Sequence, residues 1–279
     1  MAGERLLPLV VRGVLRHPSL LTRARAKGTG PTGWYGALRD LAIESIQTDY
    51  FHDHPDGRID VGGVTLFLHP RRHLLSALVI VRGEHEPRTT RLIRSLLGNG
   101  GTLVDVGANI GWFTLVPATA ATRVFAYEPD PENFAILQRA IAANGRANVT
   151  AQQLAISNTD GEATLSISEA SAGFHSIVRQ VGSRSLTVPV RRLDTALPDL
   201  DIDVLKVDVE GAEPHVLEGA LGLLRKGKIR HIVLEWNPAA WTGKMEILRP
   251  FRTTLIDGTT PFAPGTVPPE GNVLLTPAP

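Results

Sequence analysis

One stretch constrains the fold more than any other: Thr102-Leu103-Val104-Asp105-Val106-Gly107-Ala108-Asn109-Ile110-Gly111-Trp112-Phe113-Thr114. An apolar run, a turn bounded by glycines and a second apolar run read as a short buried strand, a tight turn and a helix start. This is how an open α/β sheet presents backbone N–H groups to a ligand. Ligands of such sheets bind outside the carboxyl ends of the strands, so polar residues at strand ends become the candidates. Gly107 and Gly111 would let the turn approach a ligand closely. The spacing is G-x-N-x-G, and Asn109 stands where the second glycine of a dinucleotide-binding turn would let backbone meet a pyrophosphate. A ligand without a pyrophosphate fits better.

The flanking sequence extends this turn into a sheet. Strands are predicted over residues 123–128, 149–156, 203–209 and 229–236, with helices over 133–144 and 214–226. That spacing is one of consecutive βαβ units with right-handed crossovers. Residues 162–168 and 185–191 read as an extra antiparallel pair flanking a polar loop. The remainder, rich in Pro, Gly and Thr, predicts a helix around residues 244–251 and closing strands over 253–256 and 272–275.

Upstream, residues 88–97 read as a helix with Pro87 near its start and Gly98 at its end. Residues 34–47 read as a helix, and 58–68 as two short strands joined by Gly62-Gly63. These form a small cap, with the main domain expected from residue 81 to 279. Residues 28–33, dense in glycine, read as a linker or exposed loop. At 279 residues, one α/β domain with an extension is expected.

Leu6, Leu7, Val10, Val11, Val14 and Leu15 fall at helical spacing in an arm that Arg12, Arg16, Arg23, Arg25 and Lys27 make basic. The arm could touch an anionic membrane surface or a phosphorylated substrate. Packing on the domain, or on a second subunit in a homodimer, is preferred, because Gly13 and Pro18 make a poor surface helix. Arg12 interrupts the apolar run and no small-residue cleavage site follows, so the arm reads as mature sequence. No run approaches the roughly 18 apolar residues of a transmembrane segment. The absence of cysteine excludes disulfides and thiolate metal sites and fits a reducing cytoplasm. A net charge of +1, with no Asn/Asp-Pro-Pro-Tyr motif, argues against nucleic acid as partner.

Glu128 ends the second predicted strand roughly 20 residues beyond Gly107, where a carboxylate can accept hydrogen bonds from both hydroxyls of a ribose. S-adenosyl-L-methionine has a ribose, an adenine, a sulfonium and an amino-acid tail, and no phosphate. Asp105 could hold its ammonium. Trp112 either faces the cation or packs helix against sheet. Ala108, Pro129 and Ala155 complete the expected cofactor-binding set.

Three segments, Val104-Asp105-Val106-Gly107-Ala108-Asn109-Ile110-Gly111, Tyr127-Glu128-Pro129-Asp130-Pro131-Glu132-Asn133-Phe134 and Leu205-Lys206-Val207-Asp208-Val209-Glu210-Gly211-Ala212-Glu213, occur in this order. Together they resemble the FkbM-type S-adenosylmethionine-dependent methyltransferases, over roughly residues 86–236. The resemblance implies a class I methyltransferase Rossmann-like fold: a seven-stranded, mostly parallel sheet, its last strand reversed, with helices on both faces. It also implies acceptors that are commonly hydroxyl groups of natural products, sugars or glycolipids. The first 80 residues lie outside it.

On the 203–209 strand, Val204, Lys206 and Asp208 share one face. A lysine in such an apolar run is costly unless paired, and Asp208, about 7 Å away at two strand rises, is the nearest partner. Either the pair is structural, or Lys206, Asp208 and Glu210 contact substrate. Glu213 reads as a helix start. Methyl transfer to oxygen requires alignment of nucleophile, methyl and sulfur and a base for the hydroxyl proton. Candidate bases are Asp208, Glu210, Glu235 and His175, the last in the loop over residues 170–182. A carboxylate acceptor would need no base. Asp208, Glu210 and Glu235 could form an oxygen-ligand magnesium site, but nothing in their spacing requires it, and no metal is expected. The competing readings are a nicotinamide-dependent oxidoreductase and an inactive S-adenosylmethionine-binding partner protein. The acceptor, a small molecule or glycan, is expected between the N-terminal cap and the 170–182 loop.

Overall fold

The computed structural model describes residues 31–278, except 72, 169–174, 264–265, 267 and 269–270. The basic arm and residues 28–30 lie outside the described residues. The rest of the predicted linker does not: Pro31, Thr32 and Gly33 form the first turn of helix α1, Pro31–Asp53. Proline suits the first helical turn, where its missing N–H has no partner to lose. The helix also runs beyond the predicted end at residue 47. Ala42, Ile43 and Ile46 on α1 pack against Ala77 of α2, Leu74–Arg82. Buried Gln47 pegs the two together, its Nε2 donating to the carbonyls of His69 (2.8 Å) and Arg71 (3.0 Å) while its Oε1 accepts from His73 N–H (2.8 Å). Helix α2 has no counterpart in the sequence reading, and residue 80 lies inside it. Its Leu-Leu-Ser-Ala-Leu-Val-Ile-Val run is apolar on nearly every face and lacks the amphipathic period that marks a surface helix.

Strands β1, Arg58–Val61, and β2, Val64–Phe67, form the expected hairpin. Gly62 and Gly63, at φ 55° and 81°, supply the two positive φ values of a tight two-residue turn. The hairpin docks on α5, Pro131–Ala143, through Asn144 just past its end. Asn144 Oδ1 accepts from Thr65 N–H at 2.9 Å, and its Nδ2 donates to the Thr65 carbonyl at 2.6 Å. Helix α3, Pro87–Leu97, then leads into the sheet.

The main sheet comprises β3 (Thr102–Val106), β4 (Arg123–Tyr127), β5 (Val149–Gln152), β9 (Ile202–Val207), β10 (Ile229–Glu235), β11 (Phe251–Leu255) and β12 (Asn272–Pro277). Their order is β11-β12-β10-β9-β3-β4-β5, and β12 alone runs antiparallel to both neighbours. This is the class I methyltransferase arrangement, seven strands with the last one reversed. The chain leaves β3 in one direction and later returns to its other side at β9, which makes the β3/β9 boundary the switch point where ligands bind. Alternation along the strands sends Val104, Val106, Leu205 and Val207 into one core and Leu103, Val204 and Val233 into the other. Both faces of the central strands are therefore covered, as parallel sheets require. Short α4, Trp112–Leu115, follows β3.

Two predicted elements divide and a third is replaced. The strand over 149–156 breaks after Gln152, and β6, Ala155–Ile156, joins a separate sheet ordered β6-β8-β7. Its other members, β7 (Gly161–Ile167) and β8 (Arg184–Arg191), are the expected antiparallel pair. After α6, Leu193–Ala196, and β9, the helix predicted over 214–226 splits into α7, Glu213–Gly219, and α8, Leu221–Arg225. A side chain at Gly219 would overlap the Ser157 carbonyl, so α7 packs at backbone distance there. Asp194 then caps the new start, accepting from Gly222 N–H at 2.9 Å and Leu223 N–H at 2.8 Å. The helix predicted around 244–251 is replaced by 3-10 turns at Pro238–Trp241 and Met245–Leu248, and Phe251 opens β11. No helix among the described residues is long and apolar enough to cross a membrane.

Candidate active site

The carboxyl ends of β3, β4, β9 and β10 open onto one cavity of about 250 Å³, just below the usual small-molecule range. From the predicted cofactor set, Gly107, Ala108, Asn109, Trp112, Glu128, Pro129 and Ala155 line it; so do Asp208, Glu210, Glu235 and His175. Asp105, Gly111 and Lys206 lie behind the wall.

The glycine turn is occupied by its own chain. Gly107 and Ala108 N–H both donate to the Tyr127 carbonyl at 3.0 Å, Asn109 N–H to Glu128 Oε2 at 2.7 Å, Ile110 N–H to Asn109 Oδ1 at 2.7 Å and Gly111 N–H to the Ala108 carbonyl at 2.9 Å. Every N–H from 107 to 111 is thus spent, and none is left to cradle a phosphate. The glycines answer packing instead of ligand approach. A side chain at Gly107 (φ 84°) would overlap the Asp208 carbonyl, and one at Gly111 (φ 96°) would lie 2.6 Å from Leu137 Cδ1.

Glu128 is buried, and each of its oxygens takes one backbone N–H: Oε2 that of Asn109, and Oε1 that of Asp130 at 2.9 Å. Both oxygens keep a further lone pair. Burial pushes its carboxyl up to about 7, against the pull of the two N–H donors. The Trp112 ring is fixed from behind, its Nε1 donating to Thr90 Oγ1 at 3.0 Å.

At the other end Lys206 is fully buried, and its Nζ donates to Asp208 Oδ2 at 3.1 Å while lying 5.0 Å above the Phe113 ring. Burial acts to discharge the lysine, but Asp208, Glu86, Glu235 and Asp105 outweigh it and hold its pKa above the ordinary value. Burial likewise raises Asp208, and here Lys206, with hydrogen bonds from Lys206 and Glu235, carries the balance below the usual carboxylate range. Its neighbours go the other way. The Asp208 charge and burial push Glu235 well up. Burial and Asp208 push Glu210 to about 8, although Arg179 Nη2 lies 3.3 Å from its Oε2. Oxygens of Asp208, Glu210 and Glu235 all lie within 4.8 Å of one another. Asp208 is thus the most acidic member of the cluster, and its charge disfavours ionisation of Glu210 and Glu235, since neighbouring like charges do not all ionise readily.

A profile of the methyltransferase FkbM domain matches residues 105–253, from β3 through β11. The chain belongs to the FkbM methyltransferase family. Within curated proteins it is 31% identical over 183 residues to methyltransferase sdnD of Sordaria araneosa, covering 52% of this chain and 70% of that one. It is 30% identical over 161 residues to the hexuronic acid methyltransferase AglP of Haloferax volcanii, covering 56% and 63% respectively. Among solved structures, methyltransferase FkbM of Methylobacillus flagellatus aligns with a TM-score of 0.46 and 15% identity, over 94% of this chain and 59% of that one.

In this FkbM methyltransferase two assignments from sequence change. Asp105 does not reach the cavity. It is 1% exposed and accepts from Thr114 Oγ1 at 2.6 Å, and burial raises it to about 6. His175 lines the cavity; its Nδ1 accepts from Ser168 N–H at 3.0 Å, while its Nε2, 3.6 Å from Asp130 Oδ2, makes no hydrogen bond among the described residues. Burial lowers its pKa despite Asp130, so it stays neutral with its proton on Nε2 and has no lone pair to act as a base. Sequence reasoning missed His73, Leu74 and Leu75 at the start of α2, and His85 and Glu86 before α3. All five precede the matched stretch. The one signal for Glu86 was an acid directly before Pro87.

Proposed function

We propose that this enzyme transfers the methyl group of S-adenosyl-L-methionine to a neutral hydroxyl of a small molecule or glycan. The residues suit that donor. The turn offers no free N–H for a pyrophosphate, which disfavours a nicotinamide dinucleotide, and Glu128 keeps two lone pairs for the hydroxyls of a ribose. Trp112 and a wall rich in carboxyl groups suit a cation.

The observation that carries the reading is the Lys206–Asp208 pair beside two carboxyls with raised pKa. When bound, the donor supplies an electrophilic methyl on sulfur. Asp208 orients the acceptor hydroxyl and takes its proton as the new C–O bond forms. A weakly basic carboxylate suffices, because the proton becomes strongly acidic once the oxygen gains a third bond. Lys206 holds Asp208 ionised and aimed, and Glu210 and Glu235, as neutral acids, donate hydrogen bonds toward the acceptor. AglP is named for a hexuronic acid. A carboxylate acceptor here would meet three acids with Lys206 already paired, so a neutral hydroxyl is favoured.

Calorimetric titration with S-adenosylmethionine and with NAD tests the donor, and transfer of labelled methyl to polyol and glycan acceptors tests the reaction. Binding of NAD but not S-adenosylmethionine overturns the proposal; binding without transfer to any acceptor would leave a binding protein instead.

A further inference from the structure

Four non-glycine residues among those described have positive φ: Glu86 (41°), Asn109 (53°), Asp199 (60°) and Glu210 (54°). Three of them, Glu86, Asn109 and Glu210, line the cavity, and strain of this kind persists where surrounding contacts enforce it at functional sites. Asn109 belongs to the glycine turn and Glu210 to the acid cluster. Glu86 lies outside both, and a residue before proline ordinarily takes an extended conformation. Thr90 holds it: its N–H donates to the Glu86 carbonyl at 2.8 Å and its Oγ1 to the His85 carbonyl at 3.0 Å, while that same Oγ1 accepts from Trp112 Nε1. The Glu86 backbone is thereby tied to the ring at the cavity wall. Its Oε2 accepts from Asn272 Nδ2 at 2.6 Å, and Asn272 is a buried β12 residue paired in register with Glu235.

Five carboxyl groups line the cavity, and four are committed. Glu128 is bonded by backbone at the ribose end, Asp208 is paired with Lys206, Glu210 is paired with Arg179, and Glu235 is drawn into the cluster with Asp208 and Glu210, their oxygens within 4.8 Å of one another. Asp105, the alternative from sequence, is walled off against Thr114. We propose that Glu86, positioned by Asn272 and Thr90, receives the ammonium of the methyl donor's amino-acid end. This rests on S-adenosylmethionine being the donor. The Asn272 amide that holds Glu86 is neutral, and the cations nearby are His85, its Nε2 3.8 Å from Glu86 Oε1, and Lys206, already hydrogen-bonded to Asp208, so an acceptor-only carboxylate at the cavity wall is the complement of an ammonium.

The test is calorimetric binding of three ligands to wild type and Glu86→Gln: S-adenosylmethionine, S-adenosylhomocysteine and 5′-methylthioadenosine. The first two carry the ammonium and the third does not. The variant should lose about 10-fold or more in affinity for the first two, as removal of a charged hydrogen bond does, and under about 2-fold for the third. Equal loss for all three, loss for S-adenosylmethionine alone, or no loss overturns the assignment. A ligand-side check needs no folded variant: S-adenosylhomocysteine lacking its amino group should bind wild type as weakly as the parent binds Glu86→Gln, and parent-like affinity overturns it. Wild type that binds none of these ligands refutes the donor itself, which separates the two failures.

Discussion

At the β3–β4 end of the cavity, Glu128 is held by two backbone N–H groups; at the β9–β10 end, Asp208 is held by the Nζ of a buried lysine. The first arrangement depends on chain path alone, and its geometry cannot change without moving the turn from 107 to 111. The second depends on charge balance among side chains, so protonation or one substitution can retune it. Under the proposed function, donor recognition is therefore rigid and the acceptor chemistry adjustable. Four experiments sharpen or break that contrast.

The largest effect is expected for Lys206→Met. It leaves Asp208, Glu86, Glu235 and Asp105 without their buried cation, and losing one partner of a buried pair costs about 3–5 kcal/mol. Urea unfolding should show this, and a loss under about 1 kcal/mol would mean that the pair matters little to the fold.

Next, Asp208→Asn should lower turnover by about 100-fold or more, the range for a general base, with donor affinity nearly unchanged. Glu128→Gln should do the reverse, weakening the donor by about 10-fold and sparing turnover at saturation. If both variants shift both constants equally, the two ends are not separable.

The third is a pH profile. Folding raises Asp105 to about 6, Glu128 to about 7 and Glu210 to about 8. An acid with a raised pKa favours the folded state while protonated. Its contribution is complete below the unfolded value near 4 and is lost as pH rises through the folded value. His73, lowered to about 3, and His69, His175, His215 and His231, also lowered by burial, act the other way below about pH 7. The acids dominate above it: the ligand-free protein should melt lower at pH 8 than at pH 7, by roughly a few degrees, and Glu210→Gln should flatten that slope. Donor hydroxyls that bond to the Glu128 carboxylate favour its charged form, so binding at neutral pH should release protons and tighten as pH rises through about 7. Calorimetry in buffers of different ionisation enthalpy reads this directly.

The smallest effect is expected from chelation. The Asp208 charge and burial favour the protonated forms of Glu210 and Glu235, which relieves the acid cluster without a cation, so EDTA should leave turnover unchanged. A loss restored by magnesium would assign a divalent cation to Asp208, Glu210 and Glu235.

The same contrast governs what could be read from the sequence. The central strands of the main sheet carry buried apolar stretches, such as Leu103-Val104, Val204-Leu205 and Ile232-Val233-Leu234, and these were legible. Elements that divide did so for reasons remote in the chain: Gly219 of α7 meets the Ser157 carbonyl, and Asp194 caps α8. Helix α2 escaped because burial on nearly every face erases its period. In the site, Glu128 and the Lys206–Asp208 pair follow from position along a strand. Asp105 was misjudged because its partner, Thr114, faces it only once α4 has folded back. His175 looks available from its place in a polar loop, but the Ser168 N–H occupies the lone pair of its Nδ1. No local pattern announces the left-handed backbone of Glu86, which Thr90 and the Trp112 ring impose.

The break after Gln152 has a consequence for how such enzymes diversify. Strand β6 carries Ala155 and Ile156 to the cavity wall and starts the small sheet that brings Leu165, His175 and Ile177 there as well. That sheet branches off at residues 153–154 and rejoins at α6, so residues 157–192 behave as a cassette inserted between the two halves of the main sheet. Grafting this cassette from a relative would exchange one wall of the cavity while leaving β3, β4 and β9 intact; under the proposed function, that is a route by which one scaffold could acquire new substrates without relearning its donor.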